Sequence, residues 1–160
     1  MKYVSKKEQV NYLAGLSGQN LVYSLIGGSF FTYFMTDIAM FPAAVVSIIL
    51  IAMKVWDGIN DIIMGTVVDK THTRWGKCRP YLKFVPLPIA ITTILMFLPI
   101  TGLSNGVKIT YVIISFLLWE TLYTLGDIPL WGVTSLMTPD EEKRAKLISA
   151  ARTISSLGSI

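Results

Sequence analysis

The sequence predicts an all-α membrane protein, and three observations carry that reading. Hydrophobic residues fill 52% of the 160 positions and charged residues only 15%, with a mean hydropathy of +0.57, a balance foreign to soluble domains. Apolar runs of about 20 residues, enough to cross a hydrocarbon core of about 30 Å, recur along the chain. Basic residues collect in alternate loops between those runs.

The first span is expected at 12–36, the second at 43–68, the third at 81–101 and the fourth at 108–136. A fifth begins near Arg144 and still runs at Ile160, so the chain is expected to be cut short. The amino-terminal segment lacks a short apolar core followed by a small-residue cleavage site, so the first span is expected to stay in the mature protein. Short links at 37–42 and 102–106 make neighbouring spans antiparallel. Pro86, Pro88 and Pro99 predict kinks in the third span, which membrane helices tolerate when neighbours satisfy the freed backbone. Gly27, Gly28, Gly58, Gly65, Gly126 and Gly132 allow close helix packing.

Eleven of the fourteen basic residues lie before the first span or after the second and fourth, against Lys108 alone on the other side. The positive-inside rule then puts the amino terminus and the loops after the second and fourth spans in the cytoplasm. The basic residues therefore set topology, and no nucleic-acid partner is expected. Cys78 is the single cysteine and excludes an internal disulfide or a cysteine metal site. His72 falls in a basic loop and receives no chemistry. Tyr12, Tyr81 and Trp75 fall near expected membrane boundaries, where aromatic anchoring is the default.

Lys54, Asp57, Asp61, Glu120, Asp127 and Arg152 remain at membrane depth, each costing roughly 2.5–3.5 kcal/mol if it faced lipid at mid-span. Lys54, Asp57, Asn60 and Asp61 share an arc of about 120°. Glu120, Thr124, Asp127 and Trp131 share one of about 60°. Ser149, Arg152, Ser156 and Ser159 form a third stripe, and Gln19, Asn20 and Ser24 a fourth. Four polar stripes imply a bundle around a wet cavity. Oxygens from Asp57, Asn60, Asp61 and Thr124 suit Na⁺, Li⁺ or a proton, with no transition-metal site and no other cofactor. Asp127, Trp131, Arg152 and Asn20 combine hydrogen-bonding forks with an aromatic face, as a sugar ring requires. The plainer reading is that Lys54 pairs with Asp57 and Arg152 with Asp127 to hold the bundle. Two other classes stay open: a noncatalytic membrane scaffold, and an intramembrane prenyltransferase chelating Mg²⁺ through Asp57 and Asp61. The second lacks another aspartate-rich segment.

"KVWDGINDIIMGTVVDKTHTRWGKCRPYLKF", from Lys54 to Phe84, resembles a signature of the glycoside-pentoside-hexuronide:cation symporters, the melibiose permease family within the major facilitator superfamily. "YTLGDIPLW" at 123–131 resembles the family's signature in its fourth helix, and the likeness runs from about residue 8 to the end. It implies a multi-pass protein of the bacterial plasma membrane that is not an enzyme. The chain would be the amino-terminal part of a twelve-helix transporter, less than one six-helix half, with a carboxyl-terminal half missing. It further implies a coupling-cation site at Asp57, Asn60, Asp61 and Thr124 and sugar contacts at Gln19, Asn20, Asp127, Trp131 and Arg152. Lys54 and Glu120 become modulators. Gly65, Asp69, Arg74, Gly76, Lys77 and Arg79 become a cytoplasmic gating loop, latched by charge pairs. Three features depart from the family pattern: Gln19 and Asn20 are uncharged, which tells against a galactoside; Glu120 replaces a small residue, which shifts the expectation for coupling towards protons; and Ile62 replaces a proline that often follows the Asn-Asp pair, with no loss of ligands expected.

Overall fold

In a computed structural model the described residues, 6–100, 102–137, 142, 145–146, 148–150 and 153, are helical with connecting turns and contain no strand. The chain divides into two compact units, one of residues up to Phe31 together with those from Leu130 onward, the other Thr32–Pro129.

In the first unit, α1 (Lys6–Gly27) starts with Glu8 in its opening turn, where a negative charge suits the helix dipole. Tyr12 and Leu16 form its buried face and pack with Leu13, Leu130, Trp131 and Val133. Tyr12 donates its hydroxyl to the Leu130 carbonyl at 3.0 Å. It is 9% exposed and so is a core residue rather than the expected interfacial anchor, because Leu130 and its neighbours cover it. Ser17, Asn20 and Ser24 each donate to a carbonyl three or four residues earlier, at 2.8 Å. That back-bonding satisfies polar side chains without a second helix. α1 ends at Gly27, and the N–H of the following Gly28 reaches the Ser24 carbonyl at 3.0 Å. A Cβ at Gly28 would lie 2.4 Å from that same oxygen, so no side chain fits.

The expected first span is not one rod. After Gly28 come α2 (Ser29–Tyr33) and a turn of π-helix at Phe34–Ile38. In the second unit the Ala39 N–H reaches Phe34 and the Phe41 N–H reaches Met35. The wide turn buries Phe34 and Met35, and Phe34 meets Phe97 edge-on at 5.2 Å.

α3 (Ala43–Lys70) is a single helix, long and apolar enough to cross a membrane. Val46, Ile49, Met53 and Asn60 are buried, at spacings of three, four and seven. Ile48, Ile51, Val55 and Ile62 repeat those spacings and are 60–74% exposed. The two stripes are offset by two residues, about 200° around the helix. One face thus packs on protein while the opposite face exposes branched aliphatics.

α4 (Arg79–Phe84) and α5 (Pro86–Met96) divide the third span at Val85. Pro86 has no N–H to continue the ladder, so the break follows from sequence. α6 (Asn105–Met137) is again long and apolar enough to span, with Pro129 inside it. Within the second unit, Val112, Phe116, Trp119 and Tyr123 are buried at spacings of four, three and four. Trp119 stacks on Tyr123 at 4.8 Å and donates its indole N–H to Thr93 at 2.9 Å. A Cβ on Gly126 would meet Ile89 Cδ1 and Val85 Cγ1 at 3.4 Å, showing how closely α5 lies on α6.

Candidate functional site

The second unit joins α3 to α6 through polar groups. Asn60 lies on the buried stripe of α3 and is 0% exposed. Its amide nitrogen donates to the Thr124 hydroxyl at 3.0 Å and to the Glu120 carbonyl at 3.3 Å. Both acceptors lie on α6, so the amide is oriented with its nitrogen towards that helix. Its oxygen, Oδ1, is buried and accepts no hydrogen bond among the described residues. An unmatched buried acceptor is costly enough that most native proteins avoid it.

Carboxylates on the same two helices gather about Glu120. Glu120 is 4% exposed and lies beside Asp57, with Asp61 and Lys54 as further charged neighbours. Lys54 approaches Asp57 at 3.5 Å, one turn away on the same helix, but the lysine side chain is 72% exposed. Such a pair contributes little. The pairing of Lys54 with Asp57 foreseen in the plainer reading exists as a loose surface contact, while the oxygen-rich cluster lies deeper.

The four residues assigned to the cation divide in two. Asn60 and Thr124 touch, Asp57 is half-buried beside Glu120, and Asp61 is exposed. Asp61 follows Asn60 directly, about 100° around the helix, which carries it off the buried stripe. One backbone group joins the site, and one buried indole lies next to it in sequence. The Glu120 backbone carbonyl orients Asn60, and the indole N–H of Trp56, buried without a partner among the described residues, is adjacent in sequence to Asp57. The first is a backbone contact and leaves no side-chain pattern; the second was signalled only by an indole inside a polar segment.

The residues assigned to sugar are described unit by unit. In the first unit Gln19 and Asn20 are half-buried on α1, the Asn20 amide nitrogen bonding back to Leu16. Trp131 is half-buried and packs with Tyr12 and Leu16. In the second unit Asp127 is half-buried on α6, two residues before the buried Pro129. That proline has no N–H for the Leu125 carbonyl and so loosens the ladder beside the aspartate. Arg152 lies outside the described residues, as do Ser156 and Ser159.

The loop after α3 is built on Thr73. Its hydroxyl donates to the Gly76 carbonyl at 2.7 Å and accepts from the Trp75 N–H at 3.2 Å. Gly76 has φ +89, a region that L side chains rarely enter. Among the described residues no ion pair joins Asp69 to Arg74, Lys77 or Arg79; Arg74 and Lys83 lie over the Trp75 ring instead. Gly65 lies on α3, near Ile128 of α6. Beside the loop, partial burial pushes the Cys78 thiol above its ordinary value, with Lys77 opposing.

Comparison with known proteins bears on the family of the chain. A model of the family described as MFS/sugar transport protein matches residues 11–160. The glucuronide carrier protein homolog of Escherichia coli (strain K12) is 34% identical over 147 residues, 92% of this chain and 32% of its own length. The isoprimeverose transporter of Lactiplantibacillus pentosus is 27% identical over 151 residues, 94% and 31% respectively. The sodium-dependent lysophosphatidylcholine symporter 1 of Xenopus tropicalis is 29% identical over 134 residues, 83% and 25%. The chain spans about a third of the length of the first two relatives and a quarter of the third. On the match over 150 residues and the motifs that accompany it, the chain belongs to the MFS/sugar transport family, in its glycoside-pentoside-hexuronide:cation symporter branch, as a multi-pass integral membrane protein of a transporter and not an enzyme family.

Proposed function

We propose that this chain is part of a secondary transporter that moves a glycoside, pentoside or hexuronide together with Na⁺, Li⁺ or H⁺ by alternating access. The observation that carries the reading is the Asn60 amide: held by α6 through its nitrogen, it leaves a buried oxygen without a donor among the described residues, on the same pair of helices that brings Asp57 beside Glu120. A cation is the ligand that such an oxygen set accepts. The names of the relatives support both cargoes, two referring to sugars and one to sodium.

In this reading Asp57, Asn60, Asp61 and Thr124 hold the coupling ion, with Lys54 and Glu120 modulating its choice. Gln19, Asn20, Asp127, Trp131 and Arg152 hold the sugar. Cation binding relieves the repulsion between Asp57 and Asp61, which otherwise opposes a closed, dry site. The filled site then favours sugar, and the coupling is reciprocal: sugar tightens the cation by the same factor. The loop around Gly65, Asp69, Arg74, Gly76, Lys77 and Arg79 faces the cytoplasm with the amino terminus and gates one side. The membrane is a bacterial plasma membrane, and a carboxyl-terminal half of the same transporter completes the pathway. The scaffold and prenyltransferase readings gain no support from the comparisons.

The test is uptake of labelled glycosides, pentosides and hexuronides by vesicles carrying the complete transporter, under a Na⁺ gradient, a proton gradient or neither. Accumulation driven by one gradient and lost in Asp61→Asn supports the proposal. Folded protein that accumulates none of them under any gradient overturns it.

A further inference from the structure

The loop between α3 and α4 holds two cations against one aromatic ring. The Arg74 guanidinium carbon lies 5.0 Å from the Trp75 ring centroid, and the Lys83 ammonium nitrogen 5.2 Å from it. Lys83 also lies 5.4 Å from the Phe84 ring, and the two rings are 6.0 Å apart at 31°. Arg74 and Lys83 can be no further apart than their two distances to Trp75 combined. Among the described residues neither forms an ion pair. The Thr73 turn and the left-handed Gly76 hold the tryptophan in place. Two like charges that share one ring and no carboxylate partner suit an anion that touches both.

The surroundings identify the kind of anion. Trp75 is 40% exposed and Phe84 56%. Beyond Phe84, Leu87, Ile91 and Ile94 follow at spacings of three, four and three, and are 69%, 50% and 66% exposed. An apolar stripe therefore leads away from the cations along α4 and α5. A free inorganic anion would use the cations and ignore the stripe. A molecule with a phosphate head and an aliphatic tail uses both.

We propose that Arg74, Lys83 and Trp75 form a binding site for the phosphate of an anionic phospholipid, with its acyl chain lying along Phe84, Leu87, Ile91 and Ile94. The site is separate from the cation and sugar residues and stands without any assignment of transport. It differs from general attraction to a charged surface in requiring these two cations at this ring.

The full chain reconstituted in phosphatidylcholine vesicles tests it, with either phosphatidylcholine or phosphatidylglycerol carrying brominated chains at equal mole fraction. Trp75 quenching is read as the difference between wild type and Trp75→Phe. Brominated phosphatidylglycerol should quench Trp75 more strongly than brominated phosphatidylcholine. Replacing Arg74 and Lys83 together by glutamine should lower that preference about tenfold, on the order expected for two lost surface charges. The matched double variant of Lys70 and Lys77 should change it by less than about threefold at physiological salt. Equal quenching by both lipids, or equal losses in the two double variants, overturns the proposal. So does loss of the preference on adding inorganic phosphate at constant ionic strength, which would assign the cations to a free anion. Circular dichroism of each variant confirms that helix content is kept.

Discussion

Replacing Asn60 by leucine separates a residue kept for binding from one kept for stability. The asparagine is 0% exposed, with two donated hydrogen bonds and one orphaned oxygen. Interhelical hydrogen bonds within membranes contribute about 0.6 kcal/mol on average and about 1.7 at most. Leaving a buried acceptor unmatched costs about 1–3 kcal/mol. The two donated bonds together therefore roughly offset the orphaned oxygen, and a leucine of similar volume removes both terms. Thr124 can then turn its hydroxyl back to the Glu120 carbonyl, as other hydroxyls of this chain turn to their own helices. We expect Asn60→Leu to leave stability unchanged or raise it by up to roughly 2 kcal/mol, read by reversible unfolding of the chain in mixed detergent. The same substitution in the complete transporter should abolish saturable Na⁺ or Li⁺ binding, or the proton dependence of sugar binding. A loss of stability above about 1 kcal/mol with unchanged ion dependence would refute the reasoning and make Asn60 a structural clamp.

Gly76→Ala should destabilise the loop by about 1–2 kcal/mol, because the position is left-handed; faster proteolysis between α3 and α4 at unchanged helix content checks this. Tyr12→Phe should lower stability by about 0.5–1.5 kcal/mol, since it removes the bond to Leu130 while keeping the ring; chemical unfolding measures it. Cys78 should alkylate more slowly at neutral pH than a free thiol, because burial holds it protonated. Its rate should keep rising with pH beyond the point where a free thiol levels off, and a profile matching free cysteine would contradict the burial.

How much was legible in the sequence depends on the element. α3 and α6 could be read because their apolar residues repeat at helical spacing without interruption. The α4–α5 break followed from Pro86. The break at Gly28 did not, because a glycine inside an apolar run reads as a packing residue until its closeness to the Ser24 carbonyl is known. The π turn at Phe34–Ile38 leaves no pattern of its own. Tyr12 looked like an anchor because it stands at the edge of an apolar run, and among the residues packed against its cluster Leu130, Trp131 and Val133 lie more than a hundred residues away. The polar residues of α3 fall within one arc, but an arc of about 120° spans both buried and exposed positions. Thus Asn60 and Asp61, adjacent in sequence, differ in environment, and the orientation of the amide depends on a backbone oxygen that no sequence pattern records.

The length of α3 carries a consequence of its own. Its 28 residues make a rod of about 42 Å, against a hydrocarbon thickness of about 30 Å. Such a rod either tilts or lets its ends emerge, and the balance shifts with the bilayer around it. Asp57, Asn60 and Asp61 ride on that rod, fourteen to eighteen residues from Ala43. Lipid thickness therefore bears on how far these three polar side chains lie from either surface.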